Sequence, residues 1–342
     1  MVFGFWNLTL RHSITLSLSM RFRHTLYLAV ILVVLATTAL VLSFFSSRQG
    51  QTLLFLDFDS ATASSIALQS PTNTIELIKE KEKWTVKLIE GSYPADVISV
   101  ENALSNVKHL KAQELVSKNP AKQAIFEVEE KTGLKVKISD AKNKVLAEFY
   151  LGKSGPGFMG NYVRRADSSA VYLNQGYVRS AFEQTLDEWK DKTIWEVKKE
   201  EIQEVTITQT DSKLTLLKEN DKWQVQTTNR TLNLNEKQTA DLTKVDILLD
   251  KISHLKTASF PAQKELTEYG LQAGQVKNFI TLKTASQTFT LNIGKLEDSK
   301  YYVQRADQST IFTLSSSTID DFFKKTALDF LPTPDNSNQN SQ

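Results

Sequence analysis

The residues with the most chemical promise are Gly152-Lys153-Ser154-Gly155-Pro156-Gly157-Phe158-Met159-Gly160, a run holding four of the chain's 12 glycines. A Gly-Lys-Ser triplet is the part of a phosphate loop that supplies backbone N–H groups, a cation and a hydroxyl. That loop also needs a glycine five residues before the Gly-Lys pair, where Ala147 stands. Phe149 and Tyr150 extend a strand where a loop is required. Nucleotide chemistry is therefore set aside. Two uses remain. One is a plain hairpin connection. The other is a partner-docking loop of Gly155, Gly157, Phe158, Met159 and Gly160, with Phe158 and Met159 at its tip.

Other polar groupings carry weaker signals. Arg165 with Asp167, and Arg305 with Asp307, could clasp a polar ligand. The simpler use is an ion pair across a turn, worth little at a surface. His109 and His254 fall at predicted helix ends, where a cation suits the dipole, and acidic partners at metal-ligand spacing are missing. Trp84 and Trp223 could stack on sugars, but their alternation with polar neighbours makes them core anchors. Trp189 and Trp195 flank Lys190-Asp191-Lys192 and read as packing between two units. No Ser/His/Asp order, paired-carboxylate motif or Gly-rich dinucleotide turn occurs. No catalytic residue, cofactor or metal ligand is therefore expected.

The chain has no cysteine, which excludes disulfides, thiolate metal sites and thiol nucleophiles. Its net charge is +2, with Arg11, Arg21, Arg23 and Arg48 unopposed in the first 48 residues. The remainder carries 37 basic against 39 acidic residues. That mixed surface lacks the basic face nucleic acid would need.

The elements that must position these groups come in two sets. TIELIKEKEKWTV (74–86) recurs as KLTLLKENDKWQV (213–225), each a hairpin carrying Trp84 or Trp223. Val97, Val100, Leu104, Val107 and Leu110 share a helical face, as do Leu242, Val245, Leu249, Ile252 and Leu255. Asp96 and Asp241 can cap these helices. Leu151-Gly152-Lys153 matches Ile293-Gly294-Lys295, and YVRRADSSAVY (162–172) matches YVQRADQSTIF (302–312). Those blocks make Trp84, Trp223, Gly152, Gly294, Tyr162, Tyr302, Arg165 and Arg305 repeat anchors. A further helix is predicted from the Asn119 cap and Pro120 to Gly133. Strands are predicted at 134–139, 145–151, 277–284 and 287–293, with short helices at 176–187 and 316–326. The expected fold class is α+β: an N-terminal transmembrane helix, then two tandem α+β repeats with antiparallel sheets and packed helices.

Leu26–Phe45 contains 20 residues with no charge. At helical rise such a run spans about 30 Å, a bilayer's hydrocarbon thickness. Arg21, Arg23 and His24 precede it, so a transmembrane helix over 25–46 would leave segment 1–24 cytoplasmic. A cleaved signal peptide is the rival, disfavoured by the run's length and its Phe44-Phe45-Ser46-Ser47-Arg48 end. Met20 opens a compact anchor and is read as the natural start. The domain scheme continues with repeat 1 at 53–197, repeat 2 at 198–331 and a disordered tail at 332–342.

The Trp-bearing hairpin, Tyr93-Pro94-Ala95-Asp96, Leu151-Gly152-Lys153, Tyr162-Val163-Arg164 and Asp191-Lys192 together resemble the bacterial family catalogued as domain of unknown function 4340. The resemblance covers roughly 53–330 in two copies. The second departs in lacking Tyr-Pro and in placing Gln304 for the first Arg. It implies a membrane-anchored envelope protein, some relatives being associated with ABC-transporter components of the gliding type, and it implies no catalytic residues. The expectation is thus a non-enzymatic accessory or interaction protein of the cell envelope. It would be single-pass in the inner membrane with a periplasmic ectodomain, with the lipid bilayer and an envelope protein as partners. A ligand- or glycan-binding module is the alternative, and a hydrolase a more distant one.

Overall fold

The structure is a computed structural model that describes residues 26–27, 29–39, 53–54, 56, 58–89, 91–108, 110–158, 160–176, 178–229 and 236–333. The chain forms two compact units. Unit one comprises Met1–Asp59, Asn106–Leu134 and Glu148–Arg179; unit two comprises Ser60–Ser105, Lys135–Ala147 and Ser180–Gln342.

In unit one, Leu53–Leu54 pairs with Lys111–Ser117, which pairs with Val171–Asn174. Asn161–Arg165 follows, then Val145–Ser154 from residue 148 onward, all antiparallel. Val128, Tyr150, Tyr162 and Val171 form a core, with the Phe126 ring 4.8 Å from that of Tyr162. Pro120–Phe126 is a 3-10 helix rather than the longer helix expected to reach Gly133. The Asn119 side chain accepts the Ala121 N–H, but Glu127 turns left-handed at φ 55° and ends the element early.

Among the described residues, unit two holds two sheets built from hairpins and a separate two-stranded pair of Thr193–Glu196 with His254–Lys256. In the first, Ala63–Gln69 lies between Leu134–Asp140 and Thr74–Glu80, and Lys83–Leu88 and Gly91–Pro94 follow. In the second, among the described residues, eight strands run in the order Gln238–Thr239, Lys222–Asn229, Ser212–Glu219, Ile202–Gln209, Asn278–Thr284, Thr288–Glu297, Lys300–Arg305, Ile311–Ser315. Alternation dictates burial: Ile75, Leu77, Trp84 and Val86 point inward, as do Leu214, Leu216, Trp223 and Val225. Lys81-Glu82 and Asn220-Asp221 both turn with positive φ (47° and 67°; 48° and 61°), as a two-residue hairpin with strand-matched twist requires.

Each Trp carbonyl takes the N–H of an alanine just before a helix, Ala95 to Trp84 at 2.9 Å and Ala240 to Trp223 at 2.8 Å. Asp96 then caps Val97–Lys108 by accepting the Ser99 N–H at 2.7 Å. Asp241 caps Leu242–Ile252 by accepting from Thr243 and Lys244. Val100, Leu104 and Val107 are buried, as are Val245, Leu249 and Ile252. Val97 and Leu242, expected on those stripes, are exposed at the first position of each helix.

The expected fold class is corrected. Antiparallel sheet dominates the chain, and no helix among the described residues is long and apolar enough to cross a membrane. Among the described residues of that expected span, 26–27 and 29–39 are helical. The single-pass inner-membrane placement and periplasmic ectodomain are overturned with it. The other positions of the expected span, the segment 1–24, His109 and the tail beyond Thr333 lie outside the described residues.

Candidate functional site

The glycine run forms a braced loop in unit one. Ser154 pairs with Asn161 across its neck, and the Gly155 N–H donates to the Gly160 carbonyl at 2.9 Å. Pro156–Phe158 makes one 3-10 turn, with Gly157 at φ 64° and Phe158 at φ 57°. Gly160 sits at φ 115°, and a Cβ there would lie 1.8 Å from the Asn174 carbonyl oxygen. Only glycine fits.

Beneath the loop, Asn161 and Asn174 are buried. Asn161 Oδ1 accepts the Arg179 N–H at 3.2 Å, and Asn174 Nδ2 donates to the Gln175 carbonyl at 2.9 Å. The polar groups at the base are thus spent on internal bonds, while Phe158 at the tip is 73% exposed. Of the five loop candidates the structure brings together Gly155, Gly157, Phe158 and Gly160; Met159 lies outside the described residues.

The repeat anchors take structural positions. A Cβ on Gly152 would meet the Phe126 carbonyl oxygen at 2.1 Å, and one on Gly294 would meet that of Tyr269 at 2.2 Å. Tyr162 packs on Phe126 and Tyr302 on Tyr269, each at 4.8 Å. Arg165 grips Asp167 through two hydrogen bonds of 3.0 and 2.9 Å. Arg305 grips Asp307 in the same manner and adds a bond to the Ile194 carbonyl at 3.0 Å. The facing guanidinium holds Asp167 and Asp307 below the usual carboxylate range.

The sequence reading missed Arg164. Its guanidinium is buried, donates to the carbonyls of Val128 (2.8 Å), Arg165 (3.0 Å) and Ser168 (3.1 Å), and lies 4.2 Å from the Tyr150 ring centre. The strand's alternation was the available signal: Arg164 shares the inward face with Tyr162. Lys190 was also passed over. It is buried in unit two, 3.0 Å from Asp187 and over the rings of Tyr93 (4.3 Å) and Phe260 (4.6 Å). Burial first, then the Asp187 charge, pushes the Tyr93 phenol up. Trp195 lies in the core of the eight-stranded sheet and donates to the Ile252 carbonyl at 2.6 Å.

Trp84 and Trp223 are buried and offer no stacking face. Among the described residues, no three His, Cys, Asp or Glu side chains gather as a metal set. An open cleft of about 990 Å³ in unit two is lined by the 69–74 turn, Glu76, Lys87–Ile89 and Gln263. Its Ser70 hydroxyl is committed to its own turn through Asn73.

The profile of the family described as "Domain of unknown function (DUF4340)" matches residues 88–274 as one stretch, more than half of the 342 residues. No curated protein and no solved structure matches the chain.

Proposed function

The chain belongs to the DUF4340 family, and from that premise we propose that it is a non-catalytic docking module holding a partner protein through the loop Gly155–Gly160. The observation that carries the proposal is Phe158, 73% exposed on a loop whose base is fixed by Gly160 and two buried asparagines. An aromatic anchor presented on a rigid support loses little entropy on binding, which is how a few residues come to dominate an interface. Lys153 at the neck favours an apolar pocket with an acidic rim.

The two halves are read as tandem copies of one unit. Paired Trp hairpins, Asp-capped helices, Gly152 with Gly294, and the Arg-Asp clasps support this. The docking loop belongs to the first copy alone, because Lys295-Leu296-Glu297-Asp298-Ser299 replaces it in the second. ABC-transporter components, the partners the family resemblance implies, are the first candidates to assay.

A photo-crosslinking residue at Phe158 tests the reading, with Leu296 as control because it is 52% exposed on the corresponding hairpin. One discrete protein adduct is expected from position 158 and none from 296. Equal labelling at both positions, or none at 158, refutes the docking loop.

A further inference from the structure

A pocket of about 350 Å³ opens in unit two where Ile202–Gln209 runs out at Thr210 and Asn278–Thr284 lies beside Thr288–Glu297. Its polar side chains are those of Lys277, Lys295, Asn278, Gln275, Thr210 and Thr267, and Gly270 and Gly294 also line it. Among the described residues no Asp or Glu lines the pocket, and neither lysine has a carboxylate within ion-pair distance. Elsewhere in the same unit Lys199, Lys251 and Lys283 each have one, at 2.7, 2.8 and 3.8 Å.

Two of the donors are held in place. A Cβ on Gly270, which turns left-handed at φ 70°, would lie 2.9 Å from Lys295 Cγ, so a bare glycine lets the lysine stem rest on the turn. Gly294 admits the Tyr269 carbonyl, which brings that turn onto the strand. Asn278 Oδ1 accepts the Thr210 N–H at 3.1 Å. That bond fixes which end of the amide is oxygen and leaves Nδ2 as a donor with no partner among the described residues. The first half differs at this point. The segment crossing Gly152 takes its left-handed turn at Glu127 (φ 55°), so an acidic residue stands where the second half has Gly270.

We propose that this pocket binds the phosphate group of a phosphomonoester. Two ammonium groups, an amide Nδ2 and two hydroxyls converge as donors, with no carboxylate among them to repel an anion. A carboxylate ligand offers two oxygens, and the planar guanidinium fork that suits it is missing from the lining. A phosphate offers three terminal oxygens, which lysines meet as point charges from separate directions. The cavity falls within the range of small-molecule sites, about 300–1,000 Å³, which leaves room for the group carrying the phosphate. The site shares no residue with the Gly155–Gly160 loop, so it holds or fails independently of that docking role.

Phosphorus NMR of glycerol 3-phosphate with the full chain tests it. The signal should shift and broaden saturably. Inorganic phosphate should reverse the change and acetate should not. Lys277→Gln and Lys295→Gln should each weaken binding about tenfold, the loss of one hydrogen-bonded charge. Lys222→Gln makes the same charge change on an exposed hairpin and should leave binding intact. Asn278→Asp can still accept the Thr210 N–H, but it sets a carboxylate oxygen in place of Nδ2. It should abolish binding while the unfolding midpoint is kept. Co-flotation with phosphatidic-acid vesicles locates the source of the phosphate. A lysine-dependent glycerol 3-phosphate signal assigns the site to a soluble ester, and lysine-dependent flotation without that signal assigns it to a lipid headgroup. No saturable response from either probe, an equal loss in Lys222→Gln, or binding that survives Asn278→Asp overturns the proposal.

Discussion

The two Gly-Lys hairpins share a frame and differ at the tip. In the second half, Thr288–Glu297 and Lys300–Arg305 are joined by Asp298-Ser299 alone, at φ 48° and 61°. Pairing there continues to Glu297 with Lys300. The register shifts at the same place in both, after Ile293 and after Leu151, but in the first half six residues from Gly155 to Gly160 stand between Ser154 and Asn161. The strands below nevertheless keep the same glycine against the same carbonyl position. The lesson is that the hairpin tip varies freely because the fold is fixed one turn lower, where Gly152 and Gly294 let a crossing segment approach the strand.

Adding one methyl group at that crossing is the most damaging way to break the comparison. Gly152→Ala and Gly294→Ala each drive a Cβ to within 2.1 or 2.2 Å of a backbone oxygen that cannot rotate away. Each should cost about 3 kcal/mol, since overpacking here displaces backbone and not a flexible side chain. Urea unfolding of the two variants measures this. Near-equal losses support a common frame, whereas a loss in one variant only would mean that the two glycines have unlike jobs.

A smaller effect separates Arg164 from Gln304. Both sit one residue before the clasping arginine, and both donate toward the turn, Arg164 to Ser168 and Gln304 to Gln308 at 3.0 Å. Arg164 has two further carbonyl partners and the Tyr150 ring. Arg164→Met should cost about 2 kcal/mol by leaving the Val128 carbonyl buried and unpaired, and Gln304→Met about 1 kcal/mol. Unfolding midpoints that rank the other way would show that the arginine's extra bonds add nothing.

How far the sequence foretold this arrangement depended on the range of the forces involved. Hairpins, helix caps and helix faces were legible at Trp84, Asp96, Val245 and Trp223, because alternation and capping are local rules. The 3-10 ending at Glu127 was not, since nothing nearby in sequence announces a left-handed glutamate. Arg164 was overlooked in favour of Arg165 because both precede the same turn, and only the packed face tells the buried one from the exposed one. Lys190 was hidden because its partners Tyr93 and Phe260 are distant in sequence. The greasy stretch after Leu26 was overread, its length, its lack of charge and the basic residues before it having carried the expectation of a spanning helix. At Gly155–Gly160 the glycines made tight turns visible in the sequence, and the structure places Phe158 exposed on that loop.

The gentlest test concerns one proton. In the second half the Tyr302 hydroxyl donates to Glu297, and this bond first, then burial, raises the phenol from its ordinary 10.0 to about 12. The first half has Gly155 where the second has Glu297, so the bond is a property of the acidic two-residue tip. A raised folded-state pKa stabilises the protein fully below the unfolded value, and the contribution is lost as pH rises through the folded one. Phenolate absorbance of the folded chain should therefore contain one step near pH 12 that disappears in Tyr302→Phe. In Glu297→Gln that step should return toward 10.0. A step unmoved by Glu297→Gln would make burial the cause in place of the acid, and would remove the tip's charge from the account of how the two hairpins differ.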